Sequence, residues 1–165
     1  MAPPERDALP WEVALGVEAN TWPEMIRARG EWEGSSLEFL EVWGEKQGVV
    51  ERVSFREFAA RVAAAAAALQ AELSLGPGTS VAFLTHPSVA FFVTCCGVFT
   101  TGAASAVLNW RQPVVILSHM AKTAGASGVF ASAFYAKAAE ELVSSADPEV
   151  LLDVPVWFLE EVVET

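Results

Sequence analysis

Few side chains in this sequence are placed to do chemistry. They are His86 and His119, the adjacent pair Cys95-Cys96, Lys46, Lys122 and Lys137, and the isolated Arg111. The histidines are far apart and have no third ligand at zinc-site spacing. His86 is expected to cap or flank a helix. Adjacent cysteines on one helix point in different directions, so they read as small core residues of a reducing compartment. None of the lysines follows a Gly-rich run, as a phosphate-cradling loop requires. Thr100-Thr101-Gly102 ends an expected helix without a lysine, and Gly76-Pro77-Gly78 precedes a strand, the wrong context for a dinucleotide fingerprint. Glu140-Glu141 and Glu160-Glu161 read as solvated faces instead of acid–base pairs. Arg111 is the most suggestive residue. It ends a stretch without charge that begins at Gly76, at the expected carboxyl end of a parallel strand, where α/β sheets bind ligands. The favoured reading of Arg111 is nonetheless structural, a pairing with a carboxylate or a loop carbonyl. No catalytic, cofactor-binding or metal-ligating residue is assigned.

The elements that must position these residues follow from punctuation. Gly76-Pro77-Gly78 is a turn. Ser80 to Leu84 is a short apolar run, expected to be a strand buried on both faces. Pro87 opens a helix that runs to Gly102, Ala104 to Leu108 is a second strand, and Asn109 to Pro113 ends it. Strand, helix, strand makes a βαβ unit with parallel neighbouring strands. The bland alternative is a membrane span over Val89 to Leu108, about 20 residues long. Its threonines and glycines, and flanks without a basic cluster, argue against it.

Upstream, Thr21-Trp22-Pro23 opens a short helix to Gly30, and Leu37 to Trp43 alternates as a half-exposed strand. A turn at 44–48 returns the chain as Val49 to Val53, completing a hairpin. Ser54-Phe55-Arg56-Glu57 is a capping box. It precedes Phe58, Val62, Ala66, Leu69 and Leu73 at helical spacing. Trp11, Trp22, Trp32 and Trp43 recur at near-regular intervals, but the residues between them share nothing, so no repeat is inferred. Downstream, Pro113 opens a helix over Val114 to Thr123, and Lys122 suits the dipole at its end. Gly128 to Ala131 is a strand, Ser132 caps a helix over Phe134 to Val143, and Val154 to Phe158 is a buried strand. The alternation predicts an α/β fold with a mostly parallel sheet after an N-terminal hairpin.

Composition narrows the function classes. The length of 165 residues and 53% hydrophobic content suffice for one packed domain. A formal charge of −11 argues against nucleic-acid binding and anionic membrane surfaces. The N-terminus MAPPERDALPWE lacks a basic segment followed by an apolar one, so no signal peptide is evident and a cytoplasmic location is expected.

The ordered set LGPGTSVAFL, HPSVAFFVTCCGVFTTGA and AVLNWRQP resembles the N-terminal region of the AMP-forming acyl-CoA synthetases, members of the adenylate-forming superfamily. The likeness runs over roughly Leu37 to Phe158. Thr79 stands where the family usually has Asp, His86 where it often has Asn, and Ala106-Val107 precede Leu108-Asn109 without the usual Pro. The resemblance implies an N-terminal arm over 1–36 and a partial AMP-binding domain over 37–165, truncated before the phosphate-binding loop. It implies ATP, Mg and CoA for the full-length family, with none bound by this chain, and a carboxylic acid as substrate. The missing C-terminal remainder of the same protein would be the partner. The function implied is the N-terminal portion of an acyl-CoA synthetase, inactive alone. The alternatives are a non-enzymatic interaction module on the same half-fold and a small membrane protein.

Overall fold

The computed structural model describes residues 21–31, 36–41 and 48–159. Residues 1–20 and 32–35 of the arm expected over 1–36, with Trp11 and Trp32, then Trp43, residues 44–47 of the expected turn, and Glu160-Glu161 lie outside the described residues. The chain forms two compact units, Met1–Ala60 and Arg61–Thr165.

The first unit contains helix α1 (Trp22–Glu31), strands β1 (Ser36–Glu41) and β2 (Gly48–Ser54), and the first turns of helix α2 (Phe55–Leu73). α1 starts with a capping box that the sequence reading missed. The Glu24 amide donates to Thr21 Oγ1 at 3.4 Å, and the Thr21 amide donates to Glu24 Oε2 at 3.1 Å. β1 and β2 form the expected antiparallel hairpin, with one register shift between Phe39 and Leu40. At the start of α2 the Glu57 amide donates to Ser54 Oγ at 3.1 Å, as the cap motif requires. Ile26, Val53 and Phe58 are buried.

The second unit is a four-stranded parallel sheet in the order β4-β3-β5-β6, built from β3 (Ser80–Leu84), β4 (Ala104–Val107), β5 (Val129–Ala131) and β6 (Val156–Phe158). Helix α3 (Val89–Thr101) connects β3 to β4, helix α4 (Val114–Thr123) connects β4 to β5, and helix α5 (Ala136–Ser144) precedes β6. Because strand side chains alternate, the sheet has two different cores. Ala82, Leu84, Val129 and Ala131 pack with Leu117 and Ala121 of α4 and Ala139 and Leu142 of α5. Val81, Phe83 and Phe130 pack with Leu69 of α2 and Phe91, Cys95 and Val98 of α3. This second face is aromatic. Ring centroids are 5.5 Å apart for Phe83–Phe91, 5.2 Å for Phe83–Phe130 and 4.9 Å for Phe130–Trp157. Trp157 lies so close over Gly128 that an added Cβ would fall 2.1 Å from the ring.

Three expectations need correction. α3 is capped by Ser88, whose Oγ accepts from the Phe91 amide at 3.1 Å, so Pro87 stands outside the helix. Ser132 makes no side-chain cap, because a 3₁₀ turn (Ala133–Tyr135) intervenes before α5 and the Tyr135 amide donates to the Ser132 carbonyl at 2.8 Å. β6 is a half-buried edge strand and not a core strand. The uncharged stretch is cut at Gly102, whose φ of 84° ends α3 in a left-handed cap. Among the described residues no helix is long and apolar enough to cross a membrane.

Candidate functional site

The strand order creates one place where ligand-binding residues are expected. The chain leaves β3 for β4 on one side, then crosses back past β3 to β5 on the other. The crevice outside the carboxyl ends of two strands at such a reversal is the usual ligand position in open α/β sheets. Here three strand-to-helix junctions meet at that edge: Thr85-His86 after β3, Leu108 to Arg111 after β4, and Ser132 to Tyr135 after β5.

Each junction is shaped locally. After β3, Thr85 Oγ1 donates to the His86 carbonyl at 3.0 Å. After β4, the Leu108 amide donates to the Phe83 carbonyl at 2.9 Å, carrying the ladder one residue beyond the strand. Asn109 then folds the chain into a turn. Its Oδ1 accepts from the Arg111 amide at 3.2 Å and its carbonyl accepts from the Gln112 amide at 2.9 Å. Asparagine suits this position because its side chain mimics a backbone acceptor. After β5, the Ser132 amide donates to the Leu84 carbonyl at 3.3 Å, holding the third junction against the first.

The result is a cluster of rings. His86 lies 6.2 Å from Phe134 and 6.3 Å from Tyr135, and Trp110 lies 5.8 Å from Tyr135, centroid to centroid. The Arg111 guanidinium sits 4.9 Å above the Trp110 ring, within cation–π range. Phe134 is 80% exposed and Trp110 41%. Burial raises the Tyr135 phenol above its usual value, and the nearby positive Arg111 opposes this. A guanidinium beside exposed aromatic faces can hold an anionic ligand that also has a planar or apolar part. The Oγ of Ser132, 3% exposed, has no hydrogen-bond partner at the base of the third junction.

Sequence reasoning weighed Arg111 and His86 without assigning either to a site, and the structure brings both to one edge. Among the described residues Arg111 has no carboxylate or loop-carbonyl partner; it stacks on its neighbour Trp110. His86 lies before the Ser88 cap and faces the aromatic rings. Trp110, Phe134 and Tyr135 were missed as site residues; the available signal was that each strand end is followed within a few residues by a ring. His119 is exposed on α4, away from these junctions in the chain. Cys95 is buried with its Sγ 3.5 Å from Ser105 Oγ. Lys122 does more than suit a helix dipole: its Nζ donates to the carbonyls of Pro148 at 3.0 Å and Glu149 at 3.1 Å. Among the described residues no group of His, Cys, Asp and Glu side chains is arranged to hold a metal ion. The residues of the three junctions include no carboxylate, so they do not fit a magnesium ion, and no step is derived through one.

Comparison with known proteins gives this geometry a family. No curated protein matches the chain. The N-terminal domain of FACL13 from Mycobacterium tuberculosis is similar at 24% identity and a TM-score of 0.61, over 70% of this chain and 30% of that one. O-succinylbenzoate Coenzyme A Synthetase from Bacillus subtilis, in complex with ATP and magnesium ion, is similar at 17% identity and a TM-score of 0.58, over 70% and 28%. The N-terminal subdomain of Klebsiella oxytoca NpsA, in complex with 3-hydroxybenzoyl-AMSN, is similar at 19% identity and a TM-score of 0.55, over 70% and 26%. The chain thus spans less than a third of each of these structures, and at such identities they speak for the fold alone. The family model for AMP-binding enzymes matches residues 39–163, well over half of the sequence and all three junctions of the crevice. On that match, the chain belongs to the AMP-binding enzyme family.

Proposed function

We propose that this chain is the N-terminal portion of a cytoplasmic acyl-CoA synthetase, with an arm over 1–36 and a partial AMP-binding domain over 37–165. The whole enzyme would join a carboxylate to ATP, releasing pyrophosphate, and pass the acyl group from the adenylate to the CoA thiol with release of AMP. The CoA branch follows the resemblance over Leu37 to Phe158 to acyl-CoA synthetases, and one of the similar structures is named as a Coenzyme A synthetase. The observation that carries the reading is the crevice itself: His86, Trp110, Arg111, Phe134 and Tyr135 offer binding surface within the family-matched span. They contain no nucleophile–base pair and no lysine to offset a triphosphate. Their role in this reading is to wall part of the acyl or CoA channel. Arg111 orients an anionic group, and the rings exclude water around it.

The test is radiolabelled pyrophosphate exchange across short, medium, long-chain and aromatic acids. The 165-residue chain is expected to show no exchange, because a preorganised donor contributes on the order of 3 kcal/mol to a transition state and the phosphate-binding set is missing. The polypeptide that carries the rest of the AMP-binding domain is expected to show carboxylate-dependent exchange. Exchange by the isolated chain that survives repurification and disappears in Arg111→Ala would overturn the reading. A complete polypeptide with no exchange on any acid would favour an interaction module.

A further inference from the structure

The way Arg111 is anchored sets it apart from an ordinary surface arginine. From Leu73 to Ala139 the sequence contains no Asp or Glu, and its charged side chains are Arg111, Lys122 and Lys137. All 21 acidic residues lie on either side of that span. The three junctions of the crevice fall inside it. An arginine held by a carboxylate has its charge neutralised and its donors taken up. Here the guanidinium carbon lies 4.9 Å from the centre of the Trp110 ring instead. The ring face attracts the cation through its quadrupole and carries no negative charge to cancel it. The positive charge therefore persists, and no carboxylate oxygen occupies the donors of the guanidinium fork. Trp110 is itself braced. Its ring lies 5.8 Å from Tyr135 at a tilt of 37°. Tyr135 in turn meets Phe134 edge-on at 4.9 Å, and both approach His86. A ladder of rings thus runs from the third junction through Trp110 to Arg111. Behind the guanidinium, the Arg111 amide is fixed by Asn109 Oδ1.

We propose that Trp110 is a positioning residue: its ring, braced by Tyr135, holds the Arg111 guanidinium at the carboxyl edge with its charge uncompensated, for the anionic group of a ligand. The proposal deepens the reading of the crevice as part of an acyl or CoA channel and rests on it. The group taken is a carboxylate or a phosphate, since both match the planar fork of a guanidinium. Trp110 acts through Arg111 and not on the ligand. A carboxylate in its place would also restrain the guanidinium, but it would compete with the ligand for the same donors. A small aliphatic side chain would leave a long arginine side chain free, and ligand binding would then bear the entropy of ordering it. A ring restrains the cation beforehand and leaves it charged.

The first measurement needs no ligand. In the isotope-labelled 165-residue chain, the NMR signal of the Arg111 Nε–Hε group is assigned by its loss in Arg111→Lys. Its relaxation is compared with that of Arg27, exposed on α1. Arg111 is expected to be the more ordered of the two, to loosen to the level of Arg27 in Trp110→Ala, and to stay ordered in Trp110→Phe. A wild-type Arg111 as mobile as Arg27, or one equally ordered in Trp110→Ala, would overturn the proposal. The first of these outcomes requires no variant to fold, and Trp110 is in any case 41% exposed. The second measurement uses the polypeptide that carries the rest of the AMP-binding domain, with the acid and CoA varied in turn. Trp110→Ala is expected to raise KM for one of them by about threefold to fivefold, with kcat unchanged and most of the loss recovered in Trp110→Phe. A raised KM for the acid identifies the group as its carboxylate, and a raised KM for CoA as a phosphate. Arg111→Ala should give the same KM with or without Trp110→Ala, because a residue that acts through Arg111 then has nothing to act on. Additive losses would make Trp110 a ligand contact in its own right and overturn the positioning role. No exchange on any acid would remove the proposed function and the ligand with it, while the relaxation comparison separately decides whether Trp110 holds Arg111.

Discussion

The two ends of the parallel sheet are built on opposite principles. At the amino ends the polar groups satisfy one another. Thr79 Oγ1 donates to the Gly76 carbonyl at 2.6 Å and accepts from the Gly76 amide at 3.0 Å. The Ala104 amide donates to the Thr79 carbonyl at 2.9 Å. Ser127 donates to the Ser80 carbonyl from both its amide, at 2.8 Å, and its hydroxyl, at 2.9 Å. Threonine at position 79, where the related pattern has Asp, thus closes the turn with a neutral hydroxyl. At the carboxyl ends the backbone is bonded, but the side chains present rings and a guanidinium outward, and Ser132 keeps an unpaired hydroxyl. Closed hydrogen bonding serves stability; an exposed surface of rings and charge is what the proposed function uses for binding. Substitutions at the two ends should therefore separate the two properties.

The largest effect is expected at the amino end of β5. Gly128→Ala places a methyl group inside the Trp157 ring position and should cost about 2–3 kcal/mol, the upper range for overpacking. A denaturation midpoint unchanged from wild type would mean that Trp157 does not lie over this glycine. A smaller loss, about 1–2 kcal/mol, is expected for Thr79→Val, which keeps the shape but leaves the turn at Gly76 without its hydroxyl partner. The same denaturation measurement checks it, and a change below a few tenths would make the turn no more closed than the carboxyl edge. The smallest stability effect belongs to Arg111→Ala and Phe134→Ser, at the exposed edge, each within about 0.5 kcal/mol. In the complete polypeptide the same Arg111→Ala is expected to raise KM for the acid or for CoA while folding is unchanged. A large stability loss there, with unaltered kinetics, would make Arg111 a structural residue and erase the contrast between the ends.

Much of the local structure was legible because its causes are local. The Ser54 cap, the left-handed stop at Gly102, the helix after Pro113 and the fully buried β3 depend on residues within a few positions of one another. So did the parallel pairing of β3 with β4, since a strand, a helix and a strand with short turns leave little choice. The same locality explains the errors. Ser88 and Pro87 compete for the start of α3, and a hydroxyl that accepts an amide proton defines the cap better than a fixed φ does. Ser132 resembled a cap in sequence, but its amide is bound to Leu84 across the sheet, and a 3₁₀ turn follows.

By itself, then, the sequence determined the elements, the uncharged character of α3 and the absence of a Gly-rich phosphate loop. Strand order was left to tertiary structure, because whether β5 lies beside β4 or beside β3 depends on which face of the apolar strands each helix can cover. That choice decided the site. With β5 on the far side of β3, His86, Arg111 and Tyr135, distant in sequence, reach one edge of the sheet. It also set Trp157 over Gly128 and left β4 and the outer side of α3 uncovered within this unit. Pairings of this kind are set by which surfaces can be buried together across long stretches of chain, and no short motif encodes them.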